Sequence, residues 1–154
     1  MYWFLKHISN LWRKVFVSAL LFGLIFTSCN PVKFVPEDKY LVSNVQVNVD
    51  NERINKESAR ALIKQKENYK ILGFLKFHLM LYNLSPKNKE EGWLKRIGEP
   101  PQIYNEDLKL KSEEQLLQYA YSKGFFKASV TGELKKRENK RKIEIVYNLK
   151  SGDK

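Results

Sequence analysis

The chain has 154 residues, with 28 Lys or Arg against 17 Asp or Glu and a formal net charge of +11. That length allows one domain of ordinary size. A single cysteine excludes an intramolecular disulfide. Two histidines, no glycine-rich phosphate loop, no metal-ligand spacing and no nucleophile motif argue against catalysis, metal binding and a cofactor.

Residues 1–28 contain Lys6, Arg13 and Lys14 and no acidic side chain, and residues 15–26 (VFVSALLFGLIF) are an apolar run. A membrane-spanning helix needs about 20 apolar residues, whereas a signal-peptide core runs roughly 7–15. The run ends in Phe26-Thr27-Ser28-Cys29. This resembles the lipobox of bacterial lipoproteins, whose cysteine thiol becomes a thioether to diacylglycerol and, after cleavage, the new amino terminus. Phe26 stands where Leu is commoner. A buried structural cysteine and an uncleaved membrane anchor are the competing readings. The position of the lone cysteine favours cleavage after Ser28 and lipidation of Cys29. Loss of Lys6, Arg13 and Lys14 with the signal leaves +8. Export argues against a nucleic-acid partner and leaves a lipid surface, an acidic partner or solubility as uses for that charge.

Residues 30–39, with Pro31 and Pro36, read as an extended tether. Val45, Val47 and Val49 then alternate with Gln46 and Asn48, the period of a half-buried strand. Asp50-Asn51 is a turn pair, and Asn55 can cap a helix running to about Lys66 with Ala59, Leu62 and Ile63 on its apolar side. Residues 71–84 (ILGFLKFHLMLYNL) are too short to span a bilayer, and their apolar positions keep to no single face. The expectation is a buried segment. The alternative is a membrane- or partner-docking surface through Phe74, Leu75, Phe77 and Leu79.

A charged loop follows at 86–92, and Pro100-Pro101 excludes regular helix or central strand in its vicinity. Ser112 and Gln115 have capping-box spacing, Glu113-Glu114 suits a helix N-terminus, and Gly124 can close the other end. Leu116, Leu117, Ala120 and Tyr121 are the expected buried stripe. Phe126, Ala128, Val130 and residues 132–134 read as a second strand, and Ile143, Ile145, Tyr147 and Leu149 as a third. The basic run 135–142 between them is expected as a solvated hairpin loop, with contact to anionic headgroups as the alternative. It lacks the interleaved aromatics that favour single-strand nucleic-acid binding. The acidic pairs Glu90-Glu91, Glu106-Asp107 and Glu113-Glu114 read as loop or first-turn charges rather than catalytic dyads.

This order is α+β. With Lys123-Gly124-Phe125-Phe126-Lys127-Ala128-Ser129-Val130 and a last strand closing at Lys150-Ser151-Gly152, it resembles the POTRA domain. That resemblance implies a β-α-α-β-β fold, a three-stranded sheet with two helices on one face, preceded here by a signal peptide. POTRA domains are the periplasmic modules of the Omp85 family, which assembles outer-membrane barrels or moves chains across the membrane. Three stretches are similar to lipoprotein members of that family in Bacteroidetes: residues 35–42 (VPEDKYLV), 71–83, and 93–101 with Gly98-Glu99-Pro100-Pro101. The chain then divides into a signal peptide at 1–28, lipidated Cys29 and tether at 29–39, and a POTRA-like domain at 40–152 with an insert around 71–104.

The family's C-terminal barrel is absent, since no run of roughly ten-residue alternating strands follows. The chain is therefore expected to be the first module of such a protein. Its implied partners are outer-membrane lipid through acylated Cys29, and unfolded outer-membrane protein strands or an assembly-complex subunit. The implied binding edge is the second strand: Ala128, Ser129, Val130, Thr131, Gly132, Glu133 and Leu134. A lipid-anchored scaffolding protein without a chaperone role is the alternative. Asn30, not Asp, follows the cysteine, which favours the outer membrane with the domain facing the periplasm.

Overall fold

The computed structural model describes residues 12–18, 30–88 and 91–152. Cys29 and the rest of the lipobox-like stretch lie outside the described residues. The chain divides into two units, residues 1–30 and 31–154. In the first, residues 12–18 are helical. No helix among the described residues is long and apolar enough to cross a membrane.

The second unit runs β1 (Leu41–Val49), α1 (Lys56–Leu62), α2 (Phe77–Leu84), α3 (Trp93–Ile97), α4 (Glu106–Ser122), β2 (Ser129–Arg137) and β3 (Lys142–Lys150). The sheet order is β1-β3-β2, with β1 parallel and β2 antiparallel to β3. β3 takes the centre because it is the most continuously apolar strand, with Ile143, Ile145, Val146, Tyr147 and Leu149 all buried. One face packs Val45, Val47, Ile145, Tyr147 and Leu149 against Ala59 and Ile63 near α1, Leu116 and Ala120 of α4, and Phe125. Full burial of a Leu or Phe side chain contributes about 1.5–3 kcal/mol, so this cluster carries most of the stability. The other face is polar. Asn48 donates to Asn148 (2.9 Å), Asn148 to Glu133 (2.8 Å), and Asn44 and Gln46 to Glu144 (2.7 and 3.0 Å). These cross-strand pairs satisfy the amides without a covering layer.

The α+β order with helices over one face is as expected, but several boundaries differ. α1 is capped by Asn55, which accepts from the Ser58 N–H (2.8 Å), yet it ends at Leu62 rather than near Lys66. The chain extends at Ile63 so that Gln65 and Asn68, both almost fully buried, can hold the segment around Pro100-Pro101. Gln65 accepts from the Asn105 N–H (2.7 Å) and donates to the Ile103 carbonyl (3.3 Å). Asn68 donates to the Pro100 carbonyl (2.7 Å) and accepts from the Gln102 N–H (3.0 Å). Side-chain amides thus satisfy backbone groups that prolines withhold from regular structure.

α4 begins before the expected capping box. Asn105 is its cap, accepting from the N–H groups of Asp107 (2.8 Å) and Leu108 (3.3 Å). Ser112 sits inside the helix, fully buried. Its hydroxyl donates to the Leu108 carbonyl (2.6 Å) and accepts from the N–H groups of Lys64 (3.0 Å) and Gln65 (3.2 Å). The buried residues of α4 are Ser112, Leu116 and Ala120, whereas Tyr121 is exposed beside Phe126. Gly124, at φ +86°, ends the helix in the left-handed conformation and turns Phe125 into the core. Phe126 faces outward, and β2 starts at Ser129.

The leading segment is not an extended tether from residue 31 onward. Turns close between Val32 and Val35 (3.1 Å) and between Pro36 and Lys39 (3.1 Å). Val32 and Val35 are buried with Leu41 and Leu79 in a second small core. The Arg141 guanidinium donates to the carbonyls of Val32 (3.2 Å), Val35 (3.0 Å) and Pro36 (3.1 Å). Two apolar side chains and one cation outweigh the extended preference of the prolines. The insert holds α2 and α3, which meet where Gly98 leaves no room for a side chain: an added Cβ would lie 2.6 Å from the Tyr82 nitrogen.

Candidate strand-binding edges

Each outer strand of the sheet offers an edge, and the two edges differ. Among the described residues β2 pairs with β3 alone. The Gly132 N–H donates to Glu113 of α4 (2.6 Å), so it points away from β3. The alternation of an antiparallel ladder then turns the backbone groups of Val130, Leu134 and Lys136 to the same open side. Val130 and Leu134 are half-buried against the core, Ala128 precedes the strand and packs on the same core, and Ser129, Thr131 and Glu133 are exposed. Six of these residues, Ser129 to Leu134, thus lie on the outer strand, and Ala128 stands just before it.

That edge is held at one point. A Cβ at position 132 would lie 2.5 Å from the Glu113 carboxylate and 3.0 Å from the Lys109 side chain, which themselves form an ion pair (3.1 Å). Gly132 admits this approach, so its open backbone is taken by the chain's own α4. The sequence offers Glu113 only as a first-turn charge beside Glu114, a reading that does not point to Gly132.

The basic run 135–142 is not a loop throughout. Lys135, Lys136 and Arg137 extend β2, Glu138–Lys140 form a 3-10 turn, and Arg141 (φ +47°) reaches back to the leading segment. Lysines on an outer strand discourage edge-to-edge pairing between copies.

β1 is the other outer strand. Its start is covered: the Val42 N–H donates to the Gln102 carbonyl (2.8 Å), and the Tyr104 N–H to the Tyr40 carbonyl (2.9 Å). Lys76 donates to the carbonyls of Ser43 (2.7 Å) and Val42 (3.3 Å). Farther along, the Asp50 N–H turns toward β3 and bonds the Leu149 carbonyl (3.3 Å), so alternation turns Val45, Val47 and Val49 outward. Beside them lies an open groove of about 730 Å³ lined by Lys56, Arg60, Lys66, Tyr69 and Lys70. Glu67 gathers Lys70 (2.6 Å), Arg60 (3.4 Å) and Lys76 (3.7 Å).

Burial outweighs the attraction of Glu67 and pushes the Lys76 ammonium down to about 8. Its folded value lies below the ordinary 10.5, so between these pH values the unfolded chain holds more of its proton and stability rises with pH. Relative to Lys76→Met, the native protein should gain on the order of 2 kcal/mol from pH 8 to 10, read from denaturation midpoints. A constant difference would refute the burial of that charge. Above about pH 10 both proteins should lose stability as pH rises, because burial raises the Tyr104 and Tyr147 hydroxyls above their ordinary value and the unfolded chain gives up those protons first.

The four proposed docking residues do not share a surface. Ile71 and Leu75 bridge each other across a tight turn that leaves Phe74 75% exposed. Leu75 and Phe77 are half-buried, and Leu79 is buried in the second core. Leu79 is therefore a packing residue. One turn of helix beginning at Phe77 separates the faces that a continuous apolar run conceals.

The second unit is thus a small α+β module with one polar sheet face, one helix-covered face and two partly covered outer strands. The chain belongs to the POTRA family: the family model described as surface antigen variable number repeat matches residues 40–152. POTRA domains are non-enzymatic scaffold modules of Omp85-type assembly and translocation proteins. No curated protein and no solved structure matches the chain.

Proposed function

We propose that this POTRA domain captures extended segments of unfolded outer-membrane proteins, or of a partner subunit, along the outer edge of β2. The observation that carries this reading is the outward row of backbone groups at Val130, Leu134 and Lys136, interrupted by the Glu113 contact at Gly132. An incoming strand adds main-chain hydrogen bonds there with little demand on sequence. It displaces Glu113, which makes that carboxylate a latch on the edge. Acylation of Cys29 places the module at the outer membrane, facing the periplasm. The lipobox-like Phe26-Thr27-Ser28-Cys29 and the absence of Asp at position 30 support that placement.

Val130→Pro deletes an outward N–H that the β2–β3 ladder does not use, so the fold survives. A peptide of roughly ten alternating polar and apolar residues, the length of a barrel strand, serves as the photocrosslinking probe. The variant should capture it at least about tenfold less than the native chain, an affinity change of about 1.4 kcal/mol. Undiminished capture in a variant with native circular dichroism removes the β2 edge from consideration. Crosslinks that map instead to Lys66 and Lys70 assign capture to the β1 groove. No capture by the native chain leaves the scaffolding role, in which the anchored domain holds a partner without binding client strands.

A further inference from the structure

The point at which the leading segment joins the domain bears on what covers α2 and α3. Asn83, near the end of α2, donates to the Pro31 carbonyl (3.3 Å), and the Lys33 ammonium donates to the carbonyls of Asn83 (2.8 Å) and Ser85 (2.7 Å). Phe34 packs edge-on to Tyr82 at 5.2 Å, and the Lys95 ammonium of α3 lies 5.1 Å from the Phe34 ring centre. The chain therefore enters at the C-terminal end of α2. A single residue, Asn30, separates Cys29 from Pro31, a covalent reach of about 7 Å at full extension. An acyl anchor on Cys29 has no slack with which to hold the domain away from the bilayer.

The surface around that entry suits a bilayer. Leu84 ends α2 and is 48% exposed, and Trp93 and Ile97 occupy one side of α3 at 70% and 49%. Lys87 and Arg96 are exposed beside them. Tryptophan beside aliphatic and basic side chains is the composition that settles at a headgroup boundary. Leu84, Trp93 and Ile97 belong to neither buried cluster, and none of them is a residue of the β2 edge. We infer that Leu84, Trp93 and Ile97 seat on a phospholipid surface with anionic headgroups, fixing the domain's orientation on the membrane. The inference rests on the acylation of Cys29 proposed above.

Trp93 provides the probe, because Trp3 and Trp12 leave with the signal peptide and make it the sole tryptophan of residues 29–154. The coding sequence for residues 1–154 is expressed in a bacterial host, and the processed protein is characterised by intact mass. It is then reconstituted into phosphatidylethanolamine–phosphatidylglycerol vesicles with and without brominated acyl chains. Trp93 emission should fall at least about twofold in brominated vesicles, consistent with a side chain at headgroup depth. The double variant Leu84→Glu, Ile97→Glu, still acylated and vesicle-bound, should recover most of that intensity. An acylated, vesicle-bound native protein with unquenched Trp93 overturns the seating of this face and leaves the anchor intact. Recovery of only unacylated protein overturns the anchor, and the seating with it.

Discussion

Replacing Ser112 with Ala should lower the stability of the domain by about 2–3 kcal/mol, the cost of stranding buried backbone donors. The hydroxyl is fully buried and accepts from two successive backbone N–H groups, Lys64 and Gln65, across from α1. Alanine removes the acceptor and leaves at least the Gln65 N–H without a partner, since the space vacated by one oxygen admits no water. Gln65 in turn positions Ile103 and Asn105, so the loss spreads to the cap region of α4. For a domain of this size the melting temperature should fall by roughly 10 °C. Ser122→Ala on the same helix is the control. Its hydroxyl bonds only the Tyr119 carbonyl and is exposed, so the change should stay within about 0.5 kcal/mol. Equal melting temperatures for the two variants would show that the buried amides find other acceptors.

Arg141→Asn should release residues 31–36 without unfolding the sheet. Asn tolerates the left-handed backbone at this position, so the change removes the guanidinium and adds little strain. Three hydrogen bonds from a charged donor are lost, at carbonyls of which the turns still bond two, Val32 and Pro36, but not Val35. Hydrogen bonds to charged groups contribute about 1.5–3 kcal/mol each and do not add fully, so the local cost is about 3 kcal/mol. Opening of the segment should increase on the order of 100-fold, read as amide exchange at Val35 and Lys39, whose N–H groups close the two turns. Exchange within β3 should change far less. If exchange at those two amides is unaltered, Val32 and Val35 dock by burial alone. If the acyl anchor and the α2–α3 face act together, this variant also loosens the domain from the membrane, because the fixed entry becomes a flexible linker.

Periodic burial was legible along the chain. Val45, Val47 and Val49 alternate against Gln46 and Asn48 because one face of the sheet packs on helices while the other meets water, and the strand follows that pattern residue for residue. Ile143, Ile145, Tyr147 and Leu149 announced β3 in the same way, and Gly124 announced the end of α4 because only a residue free of a Cβ turns left-handed at low cost. The start of α4 was expected at Ser112, but Asn105 is the cap. Asn105 and Ser112 are both capping types and each precedes an acidic pair, so local chemistry allows either start. Burial decides between them: only Asn105 leaves Ser112 facing the Lys64 and Gln65 amides.

The second-strand edge shows both sides of that limit. Its alternating Val130, Gly132 and Leu134 were readable as strand, and the three-strand order that leaves β2 outside followed from the family resemblance. What occupies the edge was not readable. Glu113 reaches Gly132 from a residue 19 positions away, and Arg141 reaches Val32 across 109. Such contacts depend on where a helix axis or a turn comes to rest, which sequence spacing does not encode. The amino-acid sequence by itself therefore determined the class of fold and which side of each strand is buried. Only the tertiary structure decided that the leading segment is folded rather than free, that Leu79 is core while Phe74 is surface, and that Glu113 meets the Gly132 N–H at the edge of β2. Local periodicity reports which side of an element is buried, whereas these outcomes depend on which distant group reaches the site first.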